Sequence, residues 1–249
     1  MSLNIREKSI LKTASISILA ALFYMSCDDN GVKVVTPDVS TFTDDRDGKV
    51  YKKVQIGEQI WMAENLNYAA DGSTCYEGYG HGGWSAGSAE GNCEKFGRLY
   101  DWNTAMNGEH SSHAVPSDVE GVCPVGWHIP SDAEWTELTD YVGLNAGTKL
   151  KSREWHNTGV GPGGIRPPDG TDKYRFSALP GGYYDYSGSN VAGITGFVHL
   201  GWNGLWWSAT ETASNENEAW WRAIMGTTTG VSKNHFEKHY YLSVRCVHD

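Results

Sequence analysis

The stretch Cys123-Pro-Val-Gly-Trp-His-Ile-Pro-Ser-Asp-Ala-Glu-Trp-Thr-Glu-Leu138 carries the clearest local signal in this chain. Pro130 precedes Ser131, whose side chain can accept hydrogen bonds from the free N–H groups at a helix start. Glu134, three residues on, can reach back to the Ser131 N–H, which makes a capping box. Trp135, Leu138 and Val142 then recur at i, i+3 and i+7, the spacing of one apolar helical face. A helix over 131–142 with one buried side is predicted.

On the N-terminal side, Lys49 to Met62 reads as a β-hairpin. Val50, Lys52, Val54, Ile56 and then Ile60 and Met62 form extended runs around a Gly57-Glu58 turn. Leu66 to Gly97, rich in Gly, Ser, Asn and aromatics, reads as a long loop. Arg98 to Met106 is expected to be a short helix with Leu99, Trp102 and Met106 on one face. On the C-terminal side a second short helix is expected near Thr148 to Trp155. Turn residues follow from Gly159 through Gly164 and at Pro167-Pro168-Asp169-Gly170. Strands are expected at Phe176 to Leu179, Leu205 to Ala209, Ala219 to Met225 and Leu242 to Val247. Helices early and antiparallel strands late suggest one α+β domain over 48–249.

Composition narrows the function classes. The 249 residues allow one large domain or two small ones. With 30 acidic and 20 basic side chains and a formal charge of −10, the chain lacks the basic footprint that nucleic acid requires. Gly contributes 30 residues, well above the usual ~7%, which argues against a helical bundle. Eleven Trp, 13 Tyr and 6 Phe supply most of the large apolar surface and argue against disorder.

Arg6, Lys8 and Lys12 precede an uncharged, mostly apolar run from Ala14 to Met25. That pattern fits a secretory signal and is too short to span a bilayer. Ser26-Cys27 resembles the cleavage box of bacterial lipoproteins, with Tyr24 where an aliphatic residue is usual. The expectation is a signal peptide over 1–26, lipidation at Cys27 and an acidic flexible tether over 27–47. The chain would then be exported and held to the outer membrane or cell surface through its lipid alone. An exported chain oxidises its four remaining cysteines, which allow three pairings. Cys75–Cys93 and Cys123–Cys246 are favoured, closing a short and a long loop for about 3 and about 5 kcal/mol. No C-x-x-C or C-x-x-H spacing supports zinc.

Seven motifs occur in order: DGKVYKKVQIG (Asp47 to Gly57), WMAENLNY (Trp61 to Tyr68), FGRLYDW (Phe96 to Trp102), CPVGWHIPSDAEWTEL (Cys123 to Leu138), LPGGYY (Leu179 to Tyr184), WWSATE (Trp206 to Glu211) and SVRCV (Ser243 to Val247). Together they resemble the Fibrobacter succinogenes major paralogous domain, a family of exported bacterial proteins, over nearly everything past the tether. That family is similar to C-type-lectin-like domains and to the formylglycine-generating enzyme fold. The resemblance implies a loop-rich, C-type-lectin-like α+β domain closed by a disulfide between its middle and its last strand.

Several motifs fail on context. Gly83-Trp84-Ser85-Ala86-Gly87 matches G-x-S-x-G, but the glycines before it leave no strand to hold a nucleophile elbow. His110 with His113, and His235 with His239, read as surface histidines, and Phe236 stands where a metalloprotease motif needs Glu. Thr43 and Val54 occupy the end positions of the calcium loop hinted at by Asp45, Asp47 and Gly48, which excludes an EF-hand. Asn215 to Glu218 leave another kind of calcium site open. Trp202-Asn203-Gly204 lacks the Asp through which C-type lectins hold calcium and sugar, so that role is not carried over. With both disulfides drawn, no cysteine remains for the copper chemistry of formylglycine-generating enzymes. No catalytic residue, metal ligand or cofactor is assigned.

The aromatic surplus points to sugars, because flat rings stack on the apolar faces of pyranoses. Tyr183, Tyr184, Tyr186, Trp202 and Trp206 lie among Gly, Ser and Asn, and Tyr183, Tyr184, Trp202 and Trp206 are taken as the ligand-binding set. Trp207 and Trp221 are assigned to the core of a small sheet, and Trp61, Trp127 and Trp135 to the framework. The expected function is a non-enzymatic binding or adhesion module with polysaccharide as the leading ligand class. A structural or protein-binding envelope component is one alternative. An enzyme of the formylglycine-generating fold is the other, and free thiols at Cys75 or Cys93 would favour it.

Overall fold

A computed structural model describes residues 25–27, 33–35, 37–77, 88–155, 168–186 and 196–249. The first elements are β1 (Met25–Cys27) and β2 (Lys33–Val35), which pair antiparallel as a separate two-stranded unit. Then come β3 (Val39–Thr43), β4 (Val50–Ile56), β5 (Gln59–Met62), α1 (Ala89–Phe96), β6 (Leu99–Tyr100), α2 (Trp102–Met106) and β7 (Trp127–His128). The second half holds α3 (Asp132–Val142), α4 (Ala146–Leu150), β8 (Gly181–Asp185), β9 (Gly196–Leu200), β10 (Asn203–Thr212), β11 (Asn215–Met225), β12 (Ser232–Glu237), β13 (Leu242–Ser243) and β14 (Val247–His248). The fold is sheet-rich α+β with short helices.

Two larger sheets carry the domain among the described residues. One has the order β3-β4-β5-β14-β7. The other has the order β12-β11-β10-β13-β6, with β8 beside β10 and β9 beside β8. The expected hairpin is β4–β5, with Ile56 opposite Gln59 and a two-residue Gly57-Glu58 turn. Gly57 takes φ 65°, the positive value that such a turn needs at its first central residue.

The expected helix forms as α3. Ser131 Oγ accepts from the Glu134 N–H and Glu134 Oε2 accepts from the Ser131 N–H at 2.8 Å, so both halves of the capping box are made. Its apolar face is buried, with Trp135 against Trp61 (ring centroids 4.6 Å) and Trp206 (6.0 Å). Strand alternation on β10 sends Trp206 into this core and Trp207 into a second one, built from Trp102, Trp127, Trp221 and the Cys123–Cys246 pair. The central sheet therefore has apolar side chains on both faces.

Other expectations change. Residues 39–43 of the stretch read as a tether form an edge strand, with Val39 opposite Val54 and Thr43 opposite Val50. Asp44, just after it, is buried and bound by Arg46 at 2.7 Å. The loop read over 66–97 contains α1, capped by Ser88 and docked through Phe96. The helix expected over 98–106 starts as a strand, because Leu99 and Tyr100 pair with β13 and Asp101 caps α2. The helix expected near 148–155 is α4, which starts two residues earlier and ends five residues earlier. Phe176 to Leu179 make a single bridge, Ala178 to Lys151, and no strand. Leu242 to Val247 divides into β13 and β14, one in each larger sheet. The turn cluster at 159–164, the G-x-S-x-G motif and most of the signal segment lie outside the described residues. Both favoured disulfides, Cys75–Cys93 and Cys123–Cys246, are present.

Candidate ligand-binding surface

The β8 strand decides which tyrosines reach the surface. Gly182 has φ +66°, and a Cβ there would lie 2.5 Å from the Val198 carbonyl oxygen, so glycine lets β9 close on β8. Alternation then turns Tyr183 and Asp185 inward and Tyr184 and Tyr186 outward. Tyr183 packs among His199, Phe236 and Tyr240. Its pKa is pushed up to about 12, chiefly by burial and further by the Asp185 charge.

Tyr184 is half-buried and gathers other rings around it. Its centroid lies 4.6 Å from Tyr186, 4.8 Å from Phe197 and 6.0 Å from Tyr241. Tyr186 is 48% exposed and lies 5.5 Å from the His239 ring and 6.0 Å from Tyr241. Backbone pairing joins the two segments, since the Tyr184 N–H donates to the Tyr241 carbonyl at 3.0 Å. Burial and the hydrogen bond to Tyr186 push the Tyr241 pKa up to about 12, so its hydroxyl stays protonated at neutral pH. Three phenols and an imidazole thus offer flat apolar faces with polar edges.

Of the four residues taken as ligand-binding, this surface keeps Tyr184 only. Trp206 has no exposed surface, and its Nε1 donates to Asn65 Oδ1 at 2.8 Å. Trp202 and Tyr183 are each 8% exposed. The loop-platform reading is corrected for Tyr183 and Trp206, which lie inward on strands β8 and β10; Trp202 lies in the turn between β9 and β10 and is covered there. Tyr186, named as a loop aromatic, does lie on the surface. Tyr241 and His239 were not foreseen, as they come from a distant segment. Residues 238–240 form a turn after β12, so no strand alternation along the sequence marks them.

A second concavity, about 550 Å³, opens between the first hairpin, the end of α1 and the segment around Asp172. Its walls carry both signs of charge. Lys52 pairs with Glu64 at 3.2 Å, and buried Asp172 accepts from the Ser177 N–H at 2.8 Å. Cys93 and Phe96 line one side.

The histidines take ordinary pairings. His235 lies 2.8 Å from Glu218, and His239 lies 3.3 Å from Glu237. Among the described residues no group of three His, Cys, Asp or Glu is arranged to hold a metal ion. Nor is any described helix long and apolar enough to cross a membrane.

These features define a disulfide-stapled, sheet-rich α+β domain with an aromatic surface patch. The chain belongs to the Fibrobacter succinogenes major domain family, whose model matches residues 54–248. No curated protein and no solved structure matches it.

Proposed function

We propose that this chain is an exported envelope lipoprotein, anchored through Cys27, whose C-type-lectin-like domain binds polysaccharide without catalysis. The observation that carries the binding reading is the gathering of Tyr184, Tyr186 and Tyr241 beside His239 at the surface. The stapling of the chain's middle to its final strands supports the lectin-like reading. The acidic balance of the chain makes neutral polymers better ligands than anionic ones.

The test is retention of the chain from residue 28 onward on insoluble cellulose, xylan and chitin, with and without calcium. Tyr186→Ala combined with Tyr241→Ala should reduce retention at least tenfold with an unchanged circular dichroism spectrum. Tyr141→Ala, an exposed ring elsewhere, should leave it unchanged. No retention on any polymer would remove the polysaccharide reading.

A protein-binding role is the second reading. Leu144 is 84% and Tyr141 60% exposed at the end of α3. Loss of partner capture on Leu144→Asp, with polymer retention absent, would favour it.

A further inference from the structure

The two disulfides have different surroundings. Cys123 and Cys246 are both fully buried. Cys75 is half-buried, and Cys93, buried at 4% exposure, lines the 550 Å³ concavity. Arg98 lies against this second pair, with Nη1 3.4 Å from Cys75 Sγ and 3.8 Å from Cys93 Sγ. Ser73 holds the guanidinium in place: Nε donates to its Oγ at 2.9 Å and Nη2 to its carbonyl at 3.2 Å. None of these partners of Arg98 is a carboxylate.

We propose that Cys75–Cys93 is a thiol-exchange site whose electron donor is a dithiol and whose leaving sulfur, Cys75, is held as a thiolate by Arg98. A disulfide sulfur is neutral and a weak acceptor, whereas a thiolate is an anion. The same guanidinium therefore favours the reduced state over the oxidised one and speeds departure of the sulfur it faces.

In the exchange, a thiolate of the donor enters the concavity and attacks Cys93 Sγ. The Cys75–Cys93 bond breaks as the mixed disulfide forms, and Cys75 leaves with the electron pair. The donor's second thiol loses its proton and attacks its own sulfur in the mixed disulfide, which releases Cys93. The donor departs oxidised by two electrons. One of its two protons ends on Cys93 and the other in solvent, while Cys75 stays anionic beside Arg98. The surrounding fold has other supports. Asn92 Nδ2 donates to the Tyr76 carbonyl at 2.9 Å, and Phe96 and Tyr76 pack with Leu99 and Leu200. Opening the bond therefore leaves α1 docked.

The test equilibrates the full chain in dithiothreitol buffers of graded oxidised-to-reduced ratio, with alkylation and mass mapping of each cysteine. Cys75 and Cys93 should be reduced at a ratio at least tenfold more oxidising than Cys123 and Cys246. Alkylation of reduced Cys75 should titrate below the ordinary thiol value of about 8.5. Arg98→Gln should shift the ratio at least tenfold toward the disulfide, about 30 mV for a two-electron couple, and return the thiol to about 8.5. Ser73→Ala, which loosens the guanidinium but keeps its charge, should shift both in the same direction by less. Simultaneous reduction of the two disulfides would overturn the proposal, as would a folded Arg98→Gln chain with an unchanged ratio. Should Arg98→Gln fail to fold, a Cys75 thiol titrating at 8.5 or above in the unaltered chain would overturn it equally.

Discussion

Asn65 Oδ1 accepts hydrogen bonds from Trp206 Nε1 at 2.8 Å, Arg245 Nε at 3.1 Å and Arg245 Nη2 at 2.6 Å. Its Nδ2 donates to the Phe96 carbonyl at 2.8 Å. Arg245 is fully buried, its side chain also donates to the Phe176 carbonyl, and its guanidinium lies over the Phe176 and Trp206 rings, so neutral groups solvate a cation inside the protein. Burial pulls the arginine's pKa down to about 9, against the opposing charges of Glu64 and Asp172, and it stays cationic at neutral pH. Removing the amide would leave both the charge and the indole N–H without their main acceptor. Asn65→Ala should therefore cost about 3 kcal/mol or more, read as a lower urea midpoint at unchanged slope. Arg245→Met removes the charge along with its needs and should cost less. The motifs quoted for the family include both residues, but nothing in their spacing shows that they meet. Contacts between positions 65 and 245 depend on chain paths that local pattern does not encode. The same gap misplaced Trp206: a strand was expected over 205–209, but the packing that covers both of its faces was not legible.

The helix α3 was legible because its signals are local. A capping box and an i, i+3, i+7 stripe both act within one or two turns. What its first turn does for the rest of the domain was not legible. Glu134 also takes His128 Nε2 at 2.7 Å, while Asp249 takes His128 Nδ1 at 2.7 Å. Ionised carboxylates only accept, so donating to both of them at once requires the protonated ring. Burial opposes that charge, but hydrogen bonds and charges from Glu134 and Asp249 outweigh it, and the pKa rises above its ordinary 6.5. A raised folded value means that protonation stabilises the fold. The stabilisation is complete below 6.5 and fades as pH climbs through the higher folded value. The melting temperature should fall across that window. Asp249→Asn should flatten the fall modestly, since Asp249 is largely exposed, and Glu134→Gln should flatten it more. An unchanged slope in His128→Gln would assign the fall to other groups.

The final segment ties the two larger sheets together. β13 pairs with β10 and β6 in one, and β14 pairs with β5 and β7 in the other. Cys246 lies between them and is bonded to Cys123, a sequence separation of 123. Closing so long a loop restricts the unfolded chain strongly. Replacing both cysteines by serine should cost about 4 to 5 kcal/mol, seen as a lower denaturant midpoint under oxidising conditions. The same replacement at Cys75 and Cys93, a separation of 18, should cost about 3 kcal/mol or less. Composition and motif order were enough for the α+β class and the family, and the cysteine count narrowed the bonds to three pairings, of which the favoured one is present. The tyrosine surface, the Asn65–Arg245 node and the arginine at the Cys75–Cys93 bond came only with the folded chain. Each joins residues from separate segments, and their meeting is set by sheet order and burial rather than by any repeat along the sequence.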